Sequence, residues 1–398
     1  MKYNRMMNSF YQSFKNALIR EWKRFSRFPI LITLSLILPL ISFLLFVLIF
    51  QTGVPRDLPV AVYNQDNSDL SRKLVRMIDA TPSVKIIQDI SDPLEGERLI
   101  KEGKIDTFII LPKGMEKSIY KNDPVAVSAF ISGTNISKNG LIDKDIRTTV
   151  MTFSSGIQIQ LLMKAGLSEK EAYVQMMPVT FEKHVLFNPF TNYSYYLLPA
   201  FLPMMMVVFI LIVTIFAIGS ELKNGTASEW LNSANGNILA ALWGKLTPYF
   251  VLQFVLWNFM NVILYVYEQV PLNGNTFVLF CTGYLFLLAY QSIAILIITL
   301  LGNLRLALSL GGGYSVLAFT FSGLTFPFIA MDPAMQMFGK LFPFTYYMEV
   351  FIDQAIRGAN ISYSIPYLGY LALFIVLPYL ALPKLKRMCL DESYWYKL

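Results

Sequence analysis

The sequence predicts a polytopic α-helical membrane protein with six transmembrane helices, an α/β extracytoplasmic domain, and re-entrant helices between spans five and six. Its 398 residues are 55% hydrophobic and only 15% charged, with a mean hydropathy of +0.49, unlike the composition of a soluble protein. Several apolar segments each approach the roughly 20 residues that cross a bilayer as a helix. They are residues 29–50, 195–219, 246–267, 276–301, 306–330 and 365–382.

Residues 1–28, before the first span, predict an amphipathic helix in the cytoplasmic membrane interface. Apolar and basic side chains alternate there at helical spacing. The apolar ones are Phe10, Phe14, Ala17, Leu18, Trp22 and Phe25, and the basic ones between them are Lys15, Arg20, Lys23 and Arg24. A helix of this kind lies flat, with its apolar side against lipid or protein. The alternative is that the segment only orients the first span.

The basic residues predict that both termini are cytoplasmic. Glu21 is the only acid before the first span, and Lys384, Lys386 and Arg387 follow the last span, so the positive-inside rule applies at both ends. The formal net charge of +7 therefore indicates orientation against anionic lipid and argues against a nucleic-acid partner. The first apolar run is longer than the ~7–15 residues of a signal-peptide core, so we expect it to persist as an anchor.

Residues 51–192 form a polar, nearly neutral insert that the same topology places outside. Strand-like pieces such as "LPVAVYN", "SVKII", "DTFIILP" and "PVAVSAFISGTN" alternate with helix-like pieces, which predicts an α/β domain with a mixed sheet. No catalytic constellation stands out. His184 has no metal-ligating companions and is expected to pack structurally. Cys281 and Cys389 lie in a span and in the C-terminal tail, which argues against a disulfide framework.

The segment 219–236, between spans two and three, predicts a short helix at the inner face. Thr226 and Glu229 have the T-x-x-E spacing of a capping box, so a helix should begin near Ala227. Gly225 permits the sharp turn before it. A loop that merely connects two spans is the alternative.

The segment 331–358 predicts a re-entrant structure on the outer side. It remains largely apolar after the fifth span, but Pro343 interrupts any single helix, and the two resulting pieces are too short to cross a bilayer. In the second piece Glu349, Asp353 and Arg357 follow at intervals of four residues, which favours one polar stripe. The alternative is a plain interfacial helix on the outer leaflet.

Polar residues within the spans suggest either a pathway or hydrogen bonds between helices. These are Gln253, Asn258 and Asn261 in span three and Gln291 in span four. In apolar surroundings, amide side chains commonly bond across helices. Residues 311–313 are three consecutive glycines in span five, which permit close helix packing or a flexible kink.

Together these segments resemble the ABC-2 permease family, the membrane subunits of type-2 ABC exporters, in the branch with a large extracytoplasmic domain. The resemblance rests on four stretches in the family's order. They are "REWKRFSRFPILITLSLILPLISFLLF", "DLPVAVYNQDNSDLSRKLVRMIDATPSV" with "FISGTN", "ELKNGTASEWL", and "FSGLTFPFIAMDPAMQMFGKLFPFTYYMEVFIDQAIRG".

The resemblance implies roles for specific residues. Glu221, Gly225 and Thr226 match the family's coupling segment to the ATPase, and the capping argument adds Glu229 and Trp230. The re-entrant region matches through its Ser-Gly and P-x-T-Y-Y patterns and would act as a gate. Its residues are Ser322, Gly323, Pro327, Pro343, Tyr346, Tyr347, Glu349, Asp353 and Arg357.

The resemblance also implies partners and a mechanism. Two permease copies, identical or paralogous, would pair in a bacterial inner membrane and dock separate ATPase subunits, which bind ATP and Mg²⁺. This chain has no Walker A pattern, no cofactor site and no enzyme activity of its own. The pair would export an amphiphilic, lipid-like or drug-like substrate by alternating access, because ionisable residues are scarce in the spans. Whether a periplasmic adaptor joins the complex is left open.

Two other classes of protein remain as alternatives. The first is a membrane-anchored receptor or scaffold, whose outer domain binds an envelope partner without transport. The second is a membrane-embedded enzyme, which would need paired acids or His and Ser constellations near the bilayer surface. An associated ATPase distinguishes the permease from both.

Overall fold

The chain divides into two compact units in the computed structural model, which describes residues 2–121, 123–189 and 191–396. One unit is Val54–His184, and the other combines Met1–Gly53 with Val185–Leu398. The first lies inside the predicted domain 51–192. Met1, Asn122, Phe190, Lys397 and Leu398 fall in predicted segments but lie outside the described residues.

The elements are numbered in chain order. They are α1 (Lys2–Arg27), α2 (Pro29–Phe50), β1 (Leu58–Asn64), α3 (Asp69–Asp79), β2 (Val84–Asp89), α4 (Pro93–Lys101), β3 (Thr107–Leu111), α5 (Met115–Tyr120), β4 (Ser128–Ile131), α6 (Ile136–Lys164), α7 (Glu169–Met176), α8 (Tyr193–Lys223), α9 (Ala227–Ser233), α10 (Ile238–Tyr267), α11 (Thr276–Leu301), α12 (Leu304–Thr320), α13 (Pro333–Gly339), α14 (Pro343–Phe351, continued by a π-helical turn Ile352–Arg357) and α15 (Ile361–Leu390).

The unit Val54–His184 is built on a mixed four-stranded sheet of order β2-β1-β3-β4, as the interleaved pattern predicts. β1 pairs in parallel with β2 and β3, and β4 runs antiparallel to β3. Successive residues of β1 face opposite sides, so Val60 and Val62 pack with Leu74 of α3. Ala61 packs on the other side with Phe108. Helices therefore cover a sheet whose central strands are buried.

The other unit is helical, and five of its described helices are long and apolar enough to cross a membrane: α2, α8, α10, α11 and α15. The chain is therefore a polytopic membrane protein. α8 packs against α2, α11 and α12 and contributes much of the hydrophobic core, including Met206, Ile210 and Leu211. The bounds of α2 and α11 agree with the predicted spans, whereas α8, α10 and α15 extend beyond them.

The fifth predicted span is shorter than the sequence suggested. α12 has 17 residues and ends at Thr320, whereas the prediction continued to Ala330. After it, Gly323 has a φ of +87°, which reverses the chain, and Pro327 precedes a 3₁₀ turn at Phe328–Ala330. At about 1.5 Å per residue α12 is roughly 25 Å long, slightly less than a hydrocarbon core. A sixth span at this position remains a prediction.

Candidate functional site

Five charged side chains from three helices meet at one end of the helical unit. Arg20, Glu21 and Arg24 come from α1, Glu221 comes from the end of α8, and Lys245 comes from the start of α10. We call these five residues the ion cluster. Glu21, Glu221 and Lys245 are fully buried, and the two arginines are mostly buried.

Glu221 is the centre of the ion cluster. Its Oε1 accepts hydrogen bonds from Arg20 Nη1 at 2.7 Å, from Arg24 Nη1 at 2.8 Å and from Lys245 Nζ at 2.8 Å. Its Oε2 accepts from Arg20 Nη2 at 3.0 Å and from the hydroxyl of Thr226. The guanidinium of Arg20 therefore binds both oxygens of the Glu221 carboxylate, which is the strong bidentate arrangement.

Glu21 forms the second anionic point of the ion cluster. Its Oε2 accepts from Lys245 Nζ at 2.5 Å, and its Oε1 accepts from the hydroxyl of Tyr249 at 2.6 Å. Lys245 thus bridges a carboxylate of α1 and a carboxylate of α8. Its ammonium also lies 5.0 Å from the centre of the Trp230 ring, a cation–π contact with α9.

The physical effect of the ion cluster is to fix α1 against α8 and α10. Three cations face two carboxylates, so the buried charges are nearly balanced, and each carboxylate oxygen has hydrogen-bond donors. For Arg20, burial by itself lowers the pKa, but the hydrogen bond and charge of Glu221 outweigh it and raise the pKa. Removing one partner of such a buried pair strongly lowers stability, because the other charge would remain buried without compensation.

Close backbone contact supports the same docking of α1 on α10. A Cβ at Gly244 of α10 would lie 2.6 Å from Cβ of Ala17 and 2.8 Å from the carbonyl oxygen of Phe14. Only glycine fits there, because any side chain would push the two helices apart. The ion cluster and this crossing therefore hold the same helix pair.

The predicted coupling segment forms its helix where expected, but not through the predicted capping box. α9 begins at Ala227, whereas the hydroxyl of Thr226 caps no backbone N–H of α9 and donates to Glu221 instead. The prediction of a Thr226–Glu229 capping box was therefore wrong. The carboxylate of Glu221, already held by the ion cluster, is the stronger acceptor for the hydroxyl.

Gly225 fits a position that allows almost no side chain. Its φ is +69°, and a Cβ would lie 2.2 Å from the hydroxyl oxygen of Tyr396 near the C-terminus. The backbone N–H of Tyr396 also donates to the carbonyl of Leu222 at 3.2 Å. The C-terminal tail therefore packs on the turn between α8 and α9.

The five predicted coupling residues differ in how accessible they are. Glu221 and Trp230 are buried, and the indole N–H of Trp230 donates to the carbonyl of Ala241 at 3.0 Å. Gly225 and Thr226 are half-buried, and Glu229 is exposed, as are Lys223 and Asn224 just before the turn. A partner could therefore reach Glu229 directly, while Glu221 and Trp230 connect the segment to α1 and α10.

α1 packs on the protein through only part of its predicted apolar side. The apolar side was predicted to contact lipid or protein, and of its six named residues only Ala17 is buried. Trp22 is 59% exposed and Phe10 is 39% exposed. Ala17, Phe14 and Phe25 pack against the helical core together with Glu21 and the arginines, whereas Phe10 and Trp22 remain exposed. An interfacial position of α1 remains a prediction.

The region after α12 contains the two short helices that Pro343 was predicted to separate. The P-x-T-Y-Y pattern joins them, because the hydroxyl of Thr345 donates to the carbonyl of Gly339 at 2.8 Å and the hydroxyl of Tyr346 donates to the carbonyl of Lys340 at 2.9 Å. Both carbonyls belong to the end of α13, which has no further turn of its own to satisfy them. Tyr347 is buried among aromatic rings.

Of the three residues in the predicted polar stripe, two form an ion pair. Arg357 Nη1 lies 3.3 Å from Asp353 Oδ1, and Asp353 is buried. Glu349 is half-buried one turn earlier. Before α13, Ser322 is buried and its hydroxyl donates to the carbonyl of Phe319 at 2.7 Å.

The polar residues predicted within the spans behave differently from one another. Gln291 Nε2 donates to Gln253 Oε1 at 3.1 Å, so these two form the hydrogen bond between α11 and α10 that was one of the two expectations. Asn258 donates to the carbonyl of Phe254 in its own helix at 2.7 Å. Asn261 is half-buried. Gln291 also borders a cavity of about 290 Å³ between α10, α11 and α15.

His184 does not lie where the sequence led us to expect it. The side chain of His184 is 82% exposed, so the expectation that it packs structurally was wrong. Within the described ranges no group of three or more His, Cys, Asp or Glu side chains is placed to hold a metal ion.

Sequence reasoning missed two buried polar residues that organise the helical unit. Lys245 was not singled out from the sequence. A single lysine within an apolar stretch, however, often marks a buried and functional position. Gln354 is fully buried, accepts from the N–H of Asn275 at 3.2 Å and donates to the hydroxyl of Ser364 at 2.9 Å. It therefore joins the starts of α11 and α15 to the π-helical turn that continues α14.

Comparison with known proteins gives one family match. A family model described as an ABC-2 family transporter protein matches residues 29–382, which is most of the chain. A search of curated proteins finds no match.

Proposed function

The chain belongs to the ABC-2 family of transporter proteins, and from this premise we propose that it exports an amphiphilic, lipid-like or drug-like substrate, driven by ATP hydrolysis in a separate subunit. Membership makes the chain a permease subunit that works with an ABC ATPase, since membrane components of this family lack an ATPase site of their own. It also favours transport over the alternative of a receptor or scaffold. The direction of transport and the substrate class are the proposed parts.

The observation that carries the proposal is the ion cluster beside the exposed coupling residues. Lys223, Asn224 and Glu229 face outward within a few residues of Glu221, which is held by α1 and α10 at once. A push on this surface by an ATPase subunit would therefore move α1, α8 and α10 together. The buried charges make that group of helix ends behave as one body.

α8 is the proposed route from the coupling surface to the gate. It is one helix of 31 residues, about 46 Å at 1.5 Å per residue, with Glu221 near one end. Near the other end the hydroxyl of Tyr196 donates to the carbonyl of Leu324 at 2.7 Å, in the turn that precedes α13. Movement of α8 would thus reach the turn that contains Ser322, Gly323 and Pro327, and through it α13 and α14.

In the proposed mechanism, two copies of this chain or two paralogues form the pathway between them and alternate between inward-open and outward-open states. The sheet unit lies on the extracytoplasmic side, and both termini lie in the cytoplasm of a bacterial inner membrane. The distribution of basic residues supports this orientation, since Lys384, Lys386 and Arg387 follow the last predicted span. The apolar spans support an amphiphilic substrate.

The test is reconstitution with the ATPase encoded nearest to the gene of this chain. Tagged chain and ATPase are coexpressed, purified together and placed in vesicles, where ATP-dependent movement of a fluorescent amphiphile and ATP hydrolysis are measured. We expect Glu229→Arg to lower both copurification and stimulated hydrolysis, because it reverses the charge of the exposed coupling surface. Glu182→Arg is the matched control, since it reverses another exposed carboxylate, in the sheet unit.

Two results would contradict the proposal. If no ATPase copurifies with the wild-type chain and none is stimulated by it, the coupling assignment fails. If hydrolysis is stimulated but the amphiphile moves inward or not at all, the coupling stands and the proposed direction or substrate class is wrong.

A further inference from the structure

One cavity of the helical unit belongs to no part of the proposed transport route. It measures about 290 Å³ and lies between α10, α11 and α15. Its walls are mainly apolar and include Leu246, Phe250, Leu288 and Ile375. Gln291 is one of the few polar side chains on it. An apolar cavity inside a membrane span is suited to a hydrocarbon chain, which has no polar groups to satisfy.

The cavity extends along only part of each helix that borders it. On α10 it extends from Leu239 to Phe250, and on α11 from Tyr284 to Ile295. Each stretch corresponds to about 16 Å at 1.5 Å per residue, close to half of a hydrocarbon core of roughly 30 Å. The length fits one acyl chain of one leaflet.

The cavity lies toward the end of the spans that carries the ion cluster. It begins one residue after the start of α10, and Lys245 of the ion cluster lies on the same stretch of that helix. Trp243 and Tyr379 border it and are 56% and 43% exposed. Tryptophan and tyrosine with this exposure are typical of the level of the lipid headgroups. The cavity therefore opens where a lipid of that leaflet has its headgroup.

Basic side chains follow directly where the chain leaves the cavity. Leu382 is the last cavity residue on α15, and Lys386 follows one helical turn later, about 6 Å farther along the axis, and is exposed. Arg387 is exposed next to it. Lys384 Nζ donates to the carbonyl of Leu300 at 2.8 Å, which fixes this turn of α15 to α11. Basic groups beside a pocket between transmembrane helices are suited to an acidic headgroup.

We propose that this cavity holds one acyl chain of a membrane phospholipid with an acidic headgroup, and that Lys386 binds the headgroup. The lipid is a bound component of this chain rather than the exported substrate. It fills the space between α10, α11 and α15 beside the ion cluster.

The test is native mass spectrometry of the full chain released from nanodiscs of equal parts phosphatidylglycerol and phosphatidylcholine. We expect the wild type to retain one phosphatidylglycerol molecule. Ile375→Trp fills the cavity and should lose that lipid, whereas Leu373→Trp, on the same helix but 61% exposed and outside the cavity, should retain it. Leu288→Trp fills the cavity from α11 and replaces Ile375→Trp if that variant does not fold.

Charge variants test the headgroup separately. Lys386→Gln should retain a lipid but lose the preference for phosphatidylglycerol over phosphatidylcholine. Arg305→Gln, an exposed cation at the start of α12 that lies outside the cavity, should keep the preference. None of these measurements involves the ATPase, so their outcome is independent of the proposed transport function.

Three results would overturn the inference. Equal lipid retention by the wild type and both cavity-filling variants would show that no acyl chain occupies the cavity. Conversion of a dimer to a monomer by Ile375→Trp, with no change in bound lipid, would show that a second copy of the chain covers the cavity. An unchanged preference in Lys386→Gln would overturn the assignment of the acidic headgroup.

Discussion

Replacing Glu221 by glutamine should release α1 from the rest of the helical unit. The change keeps the size of the side chain but removes its charge. Wild-type Glu221 accepts hydrogen bonds from Arg20, Arg24, Lys245 and Thr226, and it is fully buried. In Glu221→Gln three buried cations would face the carboxylate of Glu21 alone. The new amide NH₂ would also point toward N–H groups that donate to the wild-type carboxylate.

The expected magnitude follows from the cost of breaking a buried ion pair on one side. Loss of one partner costs about 3–5 kcal/mol, because the remaining charge stays buried without compensation. At about 1.4 kcal/mol per factor of ten, the equilibrium for undocking of α1 should shift by roughly a hundred- to several-thousand-fold. This shift exceeds the effect of most surface substitutions, which stay within about 0.5 kcal/mol.

The assay is hydrogen–deuterium exchange of α1 in purified protein. Amides around Ala17, which face α10 at the helix crossing, should exchange much faster in Glu221→Gln. Glu229→Gln is the matched control, since it removes an exposed carboxylate of the same segment and should change exchange of α1 far less than Glu221→Gln does. Addition of Lys245→Met to Glu221→Gln should recover part of the protection, because it removes one uncompensated cation.

Equal exchange of α1 in Glu221→Gln and Glu229→Gln would refute this reasoning. It would mean that the crossing at Gly244 alone holds α1 and that the ion cluster contributes little. Strictly additive effects of Glu221→Gln and Lys245→Met would contradict a direct interaction between these two side chains.

Two further predictions compare glycines with different surroundings. Gly225→Ala should lower the melting temperature and expose the C-terminal tail to protease, because its Cβ would lie 2.2 Å from the hydroxyl of Tyr396, whereas Gly236→Ala has a similar φ of +75° but meets nothing within 4 Å. Equal losses of melting temperature in the two variants would show that backbone strain, and not the contact with the tail, causes the destabilisation. Gly312→Ala meets nothing and should raise stability by up to about 1 kcal/mol through helix propensity. Gly311→Ala should gain less or lose, because its Cβ would lie 2.8 Å from a side chain of α8; the same melting temperature for both would contradict that contact.

The elements that the sequence predicted well are those with a strong local constraint. The bounds of α2 and α11 agree with the predicted spans, because a helix in lipid must be both long and apolar. β1 agrees with the predicted strand, and its apolar residues alternate between two helix-covered faces. The glycines at 311–313 were predicted to permit either close packing or a kink, and a Cβ would approach another helix only at Gly311, not at Gly312 or Gly313. Composition alone does not indicate which side of a helix faces a neighbour.

The ion cluster was beyond a local reading, because its partners are distant in sequence. Lys245 contacts Glu221, which lies 24 positions away, and Glu21, which lies 224 positions away. Nothing in the residues adjacent to Lys245 indicates either contact. The failed capping box has a nearer cause, since Thr226 donates to Glu221, five positions earlier and outside the capping-box positions, rather than to its own helix. A local rule fails here because a stronger acceptor from outside its window is present.

α8, the proposed route from the coupling surface to the gate, contains two prolines near its Tyr196 end. Pro199 and Pro203 lie inside the helix, between Tyr196 and the long segment that ends at Glu221. Each removes a backbone hydrogen bond and crowds the preceding turn, so proline sites are where helices bend. The end of α8 at Glu221 is fixed by buried charges, while the end at Tyr196 holds the turn before α13 by one hydroxyl bond. In the proposed mechanism, a helix fixed where the ATPase would act and able to bend near the proposed gate could move that region without unfolding the core.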